Sequence, residues 1–408
     1  MRVAVLGGGL QGCCIALALA EKKGVDVTLF DRNPILMSRT AIANEGKVHL
    51  GYMYANDPSL ATASTMMRGA LAFAPFFERR LGLSPAHLAV SIPAAYVVHR
   101  DSQPDREHVS RYFHSVHALI LEAAVGRRDA YFGTPVDKAP RRWSASELEG
   151  TFDPAVALDA YDTPEVAINP VELAKLVRER LAQMPAIEVR SGQTVQATEQ
   201  TDDGLRVATS GEDGPEHDRF DHVVNALWEG RFAIDATMGL RPLRPWLHRL
   251  KYGVSFRQIT GPRPPSVTII SGPFGEVVTY DDDLTYITWY PECVQGISTD
   301  ISPPEWATYP EEPLRSRIVR GCLAGLSEIV PALRSLVVED LSELVVKGGA
   351  IVAWGETDIT DRTSELHRRS EIGVTSVGRY HSVDPGKLTM APYFAEICAD
   401  RIGGDAAS

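Results

Sequence analysis

Apolar residues first cluster within Arg2 to Leu6, a short strand that stops at Gly7. A helical stretch with Ile15, Leu17, Ala18 and Leu19 follows and closes at Gly24, and Val25 to Phe30 reads as a second strand. Residues 60–81 carry Met66, Met67, Leu71, Phe73, Phe76, Phe77 and Leu81 at helical spacing, the stripe of a helix packed on a core. A strand is expected over 89–99 and a helix over 105–126, whereas 127–165, rich in Pro, Arg, Asp and Ser, reads as a long irregular connection. Asn169-Pro170-Val171-Glu172 opens a helix to about Met184, with Pro at the first position and an acid in the first turn. Strands follow at Glu188–Ser191 and Val195–Glu199, then a hairpin through Asp202-Asp203-Gly204 into Leu205–Thr209, and a buried-type strand over 220–228. Beyond 249 the pattern changes to alternation. Lys251–Arg257, Ser266–Ile270, Glu276–Tyr280 and Thr285–Trp289, with a turn at Asp281-Asp282-Asp283, predict an antiparallel sheet. A helix over 312–336, strands over 343–353 and 372–377 and a helix over 387–402 complete the chain.

The first two strands enclose a specific motif. Gly7, Gly9 and Gly12 form Gly-x-Gly-x-x-Gly at the turn into the helix, and Asp31 closes the second strand 19 residues after Gly12. Such glycines permit the tight turn, the approach of backbone to a pyrophosphate, and close helix–strand packing. The helix start offers free N–H groups and the positive end of the helix dipole, and Gly8, Leu10 and Gln11 add backbone there. Asp31 would accept the ribose hydroxyls, and its charge would repel a 2′-phosphate. Arg32 and Asn33 follow it and either line the adenosine or face solvent. Strand, glycines, helix, strand and acid in this order predict a bound dinucleotide. On these residues alone a colourless NAD-dependent reductase and a yellow flavoprotein both remain open.

Charge and cysteines narrow the partners. Forty-one Lys and Arg against 53 Asp and Glu give a net charge of −12, which argues against nucleic acid or an anionic membrane surface as partner. No apolar run reaches the ~18 residues of a membrane span, and the N-terminal stretch lacks the cationic flank of a signal peptide. Five cysteines without regular spacing (Cys13, Cys14, Cys293, Cys322 and Cys398) predict reduced thiols in a cytoplasmic protein and no metal site. The expected partner is a small-molecule substrate; oligomeric state is left open.

Four segments in order resemble the FAD-dependent D-amino-acid oxidase superfamily, which includes glycine and sarcosine oxidases, glycerol-3-phosphate dehydrogenases and L-2-hydroxyglutarate dehydrogenase. They are 3–31; Asn44 to Tyr54, of the form Asn-x-Gly-x-x-His-x-Gly-x-x-Tyr; Asn169 to Asn225-Ala226, including Val195; and Gly378 to Pro392, with Gly386-Lys387-Leu388-Thr389 opening the last helix. Leu227-Trp228-Glu229-Gly230 departs from the family, which has small residues there. The resemblance implies an α/β fold: a Rossmann-like FAD-binding domain of residues 1–75, 160–240 and 345–408, with an interleaved α+β substrate domain of 76–159 and 241–344 built on the antiparallel sheet. It implies FAD as cofactor and hydride transfer from a C–H bond of an amine, amino acid, hydroxy acid or sugar-like alcohol to the flavin. A flavoprotein using FAD structurally within a complex is the alternative.

The same resemblance suggests the remaining site residues. Asn44, Lys47 and His49 would lie beside the flavin ring, and Asn225, Ala226, Gly386, Lys387, Leu388 and Thr389 would contact the cofactor. His49, Arg379 and His381 are the candidate catalytic residues. A base is required for an alcohol but not for a deprotonated amine. His49 could equally be a structural histidine, and some relatives link flavin to a histidine from this region. Arg379 or Arg257 could clamp a carboxylate. Tyr52, Tyr54, Tyr280 and Trp289 are further substrate candidates, with core packing as the competing reading.

Overall fold

The first apolar run forms β1 (Arg2–Leu6), buried at every position but its first. Neighbours pair with it in parallel on both sides, β2 (Asp26–Asp31) and β10 (His222–Asn225). The computed structural model describes residues 1–83, 88, 90–257, 263–335 and 344–406 of the chain. Residues 89, 336 and 343 of the expected elements lie outside the described residues.

Among the described residues the strands form three sheets. The first has the order β17-β18-β10-β1-β2-β6, with β6 (Ile187–Ser191), β17 (Gly373–Val377) and β18 (Tyr380–Asp384). Only β17 runs antiparallel in it. α1 (Leu10–Leu19), wholly buried, packs on α9 (Ala391–Ala406), and Gln11 Nε2 donates to the Ala391 carbonyl at 3.0 Å. α2 (Ala61–Leu81) and α5 (Pro170–Ala182) bury their apolar stripes in the same core, and Asn169 caps α5 through its side chain.

The second sheet runs β15-β11-β14-β13-β12-β3-β5-β4, with β16 beside β11. It comprises β3 (Ala95–His99), β4 (Arg141–Arg142), β5 (Ala157–Asp162), β11 (Trp246–Arg257), β12 (Val267–Ile270), β13 (Gly275–Thr279), β14 (Leu284–Trp289), β15 (Val294–Ser298) and β16 (Val345–Trp354). α4 (Ala145–Thr151), α7 (Tyr290–Cys293) and α8 (Leu314–Ser327) belong to this half, and α8 covers a core of β11 and β14 residues, whereas α3 (Arg106–Ala123) packs on α2 in the first core. A small meander, β7 (Thr194–Thr201), β8 (Gly204–Gly211) and β9 (Gly214–Phe220), sits beside α6 (Arg231–Thr237).

Several elements differ from the sequence pattern for identifiable reasons. Residues 127–165 are not a plain connection, because β5 pairs along β3. Its polar Asp159 and Asp162 are matched by Arg142 at 2.7 Å and by Arg141 at 2.6 Å. β16 pairs with β11 over ten positions, from Trp246↔Trp354 to Ser255↔Val345, so it lies in the large sheet and not in the nucleotide-type one. A boundary at 345 would split it from that sheet. The last helix begins at Ala391, after a single 3₁₀ turn at Leu388–Met390.

Candidate active site

A cleft of about 460 Å³ opens at the carboxyl ends of β1 and β2 and runs to the face of the large sheet. Ligands of parallel α/β sheets bind at such strand ends. At one end lie Gly7, Gly8, Gly9, Leu10, Gln11, Asp31, Arg32 and Asn33. Gly8 N–H donates to Asp31 Oδ2 at 2.7 Å, and Asn33 donates from backbone and side chain to Oδ1 at 2.7 and 2.8 Å. A carboxylate has about four acceptor positions, so Asp31 retains capacity for a diol. No side chain caps α1, and a Cβ on Gly9 would meet nothing within 4 Å. Open space beside uncapped N–H groups fits a pyrophosphate. Val195 and Ala226 also line this end. Trp228, where a small residue was expected, lines the cleft and donates from Nε1 to the Ala350 carbonyl of β16 at 2.7 Å, tying the two sheets together.

The segment 44–54 crosses to the other end. Asn44 makes its turn, accepting from Gly46 N–H at 2.8 Å and donating to Thr40 and Ala41 carbonyls. Gly46 has φ +70°, and a Cβ there would stand 1.9 Å from the Ile168 carbonyl oxygen, so the motif admits only glycine. Thr389, buried behind the cleft, accepts from His49 N–H at 3.0 Å and donates to the Lys47 carbonyl at 3.3 Å. Asn44, Lys47, His49, Gly386, Lys387 and Leu388 all line the cleft.

Charge concentrates at this end. Lys47 Nζ bonds Glu276 Oε2 at 2.7 Å and also donates to Thr268. Lys251 approaches Glu276 to 3.9 Å. Arg369 is 1% exposed, spends Nε and Nη1 on the carbonyls of Leu366 and Val352, and lines the cleft with Lys387 and Lys251. Neither Lys387 nor Arg369 forms an ion pair within 4.0 Å among the described residues. Burial pushes the Glu45 carboxyl up, but Lys251, Lys387 and Lys47 together prevail and hold it at about 2. Burial lowers Lys387 to about 8, with Arg369 and Lys251 adding repulsion and Glu45 and Glu276 opposing it. Burial also drives Lys251 down, but Glu276 and Glu45 more than reverse this and raise it. Four cations (Lys47, Lys251, Lys387, Arg369) outnumber the three carboxylates of this end (Glu45, Glu276 and, beside His49, Glu165) in a chain of net charge −12.

Other expected site residues lie elsewhere. Gly12 packs against the Gly7 backbone rather than lining the cleft. Asn225 is buried, its Nδ2 shared among Arg231 O, Asp235 Oδ1 and Tyr380 Oη at 2.9–3.0 Å, and its Oδ1 accepts from Leu227 N–H. It holds the turn beside Ala226. Asn225→Ala should therefore cost about 2–3 kcal/mol, the range for lost buried bonds to a charged group. A lower urea midpoint with unchanged slope and unchanged flavin content would show it.

Arg379 is exposed in the turn between β17 and β18, and His381 is buried between His222 and Ser376. Both sit at the start of β18, whereas its carboxyl end, Asp384-Pro385-Gly386, reaches the cleft. Strand direction separates them from the site. Arg257 is exposed and paired with Asp282 at 3.1 Å. Tyr52 packs on Tyr96 and Phe113 in the core, and Trp289 packs against Gly325 and Phe274. Tyr280 donates to the Glu45 carbonyl from behind the cleft, and Tyr54 lies edge-on to His49 at 5.7 Å. Tyr52 and Tyr54 form a 3₁₀ turn, so the alternation of an extended segment does not apply.

The sequence pattern did not single out Glu45, Lys251, Glu276 and Arg369, nor Glu165, which bonds His49. A charge within an apolar run, as at Leu250-Lys251-Tyr252 and Pro164-Glu165-Val166, is the signal that marks two of them.

The model of the FAD-dependent oxidoreductase family matches residues 2–401. The chain belongs to that family. Its fold is shared with glycine oxidase from Geobacillus kaustophilus (TM-score 0.68, 15% identity, covering 98% of this chain and 94% of that one). Iminodiacetate oxidase from Chelativorans sp. BNC1 gives 0.68 at 16% identity, covering 99% and 95%. L-alpha-glycerophosphate oxidase from Mycoplasma pneumoniae, solved with FAD bound, gives 0.64 at 18% identity, covering 98% and 94%. Compared by sequence with curated proteins, the oxidoreductase has no significant match. Its cofactor is FAD, so the nicotinamide and structural-flavin readings fall away. The glycine turn, Asp31 and Val195 would hold the adenosine half, and Lys47, His49 and Gly386 to Leu388 the ring end. No helix among the described residues is long and apolar enough to cross a membrane.

Proposed function

We propose that this oxidoreductase oxidises the C–H bond next to the carboxylate of a small amino or hydroxy acid. The observation that carries this reading is the excess of cations at the ring end of the cleft, where Lys387 and Arg369 have no ion-pair partner within 4.0 Å among the described residues. Cations already matched by acids would not need a ligand. Here Lys387 and Arg369 face open space without a carboxylate partner among the described residues, and a substrate carboxylate supplies the missing charge. When bound, FAD would supply the hydride acceptor. The protein's own groups bind the anion, hold the C–H in place and exclude water. Five buried free thiols fit the reducing cytoplasm as its compartment.

Anaerobic mixing with a panel of 2-amino and 2-hydroxy acids, their methyl esters, neutral amines and sugars tests the reading. Loss of flavin colour with at least one free acid, and at least tenfold slower loss with its ester, is expected. Bleaching by neutral compounds alone would overturn it.

A further inference from the structure

Glu165 lies in the apolar run Pro164-Glu165-Val166-Ala167-Ile168 between β5 and α5, and it is wholly buried. Its carboxylate touches no Lys or Arg within 4.0 Å among the described residues. Three donors converge on it instead. Leu50 N–H reaches Oε2 at 2.8 Å, His49 Nδ1 reaches Oε1 at 2.9 Å, and Tyr96 Oη also donates to Oε1. Acceptance from three donors favours the ionised carboxylate and opposes the cost of burial. A buried ion costs several kcal/mol unless its partners repay it.

The arrangement has one chemical consequence. An ionised carboxylate only accepts, so His49 keeps its ring proton on Nδ1. Nε2 is then the lone-pair nitrogen of a histidine that lines the cleft. The ring is held through Nδ1 and by its edge-on contact with Tyr54, and its backbone N–H is anchored on Thr389 Oγ1.

We propose that Glu165 is a positioning residue that makes His49 Nε2 the proton acceptor of the oxidation. This rests on the reading that the ring end of the cleft holds a carboxylate substrate. In the step, the hydroxyl or ammonium hydrogen of the substrate passes to Nε2 as a proton. The adjacent C–H hydrogen leaves with its electron pair to the flavin, and the freed heteroatom pair forms the C=O or C=N bond. The imidazolium formed stands 2.9 Å from the Glu165 carboxylate, which stabilises it.

Glu165→Gln separates this role from packing. The new side chain is nearly isosteric, and its only oxygen must face Leu50 N–H, because a backbone donor cannot change its nature. Its NH₂ then points at His49 Nδ1 and Tyr96 Oη, both of which can become acceptors. The ring switches to the Nε2–H form, and the cleft meets a donor where it had an acceptor.

The test uses ¹⁵N-histidine NMR on the full chain with FAD bound, with the His49 signals assigned by their loss in His49→Gln. The Nδ1–H form is expected in the parent and the Nε2–H form in Glu165→Gln. In parallel, single-turnover flavin reduction by a substrate from the acid panel should slow about 10²–10⁴-fold in Glu165→Gln, the worth of a general base. Substrate affinity should stay within about threefold of the parent and melting within a few degrees, as expected when only transition-state proton transfer is lost. An Nε2–H ring in the parent would overturn the proposal without any variant, as would a reduction rate within threefold of the parent once the tautomer has switched. If no acid bleaches the flavin, the proposed function fails, and the tautomer result alone still decides whether Glu165 sets the ring.

Discussion

Gly12→Ala is expected to yield a colourless, less stable protein. A Cβ on Gly12 would stand 1.8 Å from the Gly7 carbonyl oxygen and 3.0 Å from its carbon, both backbone atoms. Neither can rotate aside. α1 cannot retreat, because every residue from Leu10 to Leu19 is buried, much of it against α9. Room is made only by opening the turn that carries Gly7 to Gly9, the cradle of the pyrophosphate. Overpacking ordinarily costs about 1–3 kcal/mol, and this contact is with backbone, so the upper end is expected. Flavin retained after gel filtration should fall at least about tenfold, which takes only about 1.4 kcal/mol of binding energy. Gly9→Ala makes the informative contrast. Its Cβ meets nothing within 4 Å in the protein, so the fold should hold while the methyl group intrudes on the phosphates. Loss of colour in both variants but loss of stability only in Gly12→Ala would separate the two glycines' tasks. A yellow Gly12→Ala protein with the parent's melting temperature would refute this account of the turn.

This contrast shows where sequence reading succeeds. Strand, turn, helix and acid within 1–31 are contiguous, so spacing alone conveys their geometry. The ring end is different. Lys47 meets Glu276 across 229 positions, and His49 meets Glu165 across 116. A buried charge is tolerable only once its partner is in place, and no local pattern reveals the partner. β5 was obscured in the same way, since Asp159 and Asp162 look like loop residues until Arg142 and Arg141 pair with them. Arg379 and His381 mislead for another reason. They are near Gly386 in sequence, but an intervening strand carries the chain across the sheet. Proximity to a motif therefore transfers to a site only along the correct end of a parallel strand.

Lys387 carries the second large prediction, because it is held charged against its surroundings. Its pKa, lowered to about 8 by burial and then by Arg369 and Lys251, leaves it about 90% protonated at pH 7 and about 10% at pH 9. If it binds the substrate carboxylate, the dissociation constant should rise about tenfold per pH unit above 8, measured by flavin spectral shift with a non-reacting carboxylate. Lys387→Met should weaken that binding about 30- to 100-fold at pH 7, as removal of a charge-assisted contact worth about 2–3 kcal/mol does, and should abolish the pH dependence above 8. Stability should move the other way. The unfolded chain binds the lysine proton up to its ordinary value of 10.5 and the folded chain only up to about 8. Between these limits the unfolded state holds more protons, so the folded state gains stability as pH rises, and below pH 8 the full penalty is present. Lys387→Met removes that penalty. It should melt above the parent at pH 7, and the difference should shrink as pH climbs from 8 towards 10.5. A variant that loses both affinity and stability at pH 7 would mark Lys387 as a packing residue. Weaker binding together with a higher melting temperature is the signature of a cation kept in the cleft for its ligand.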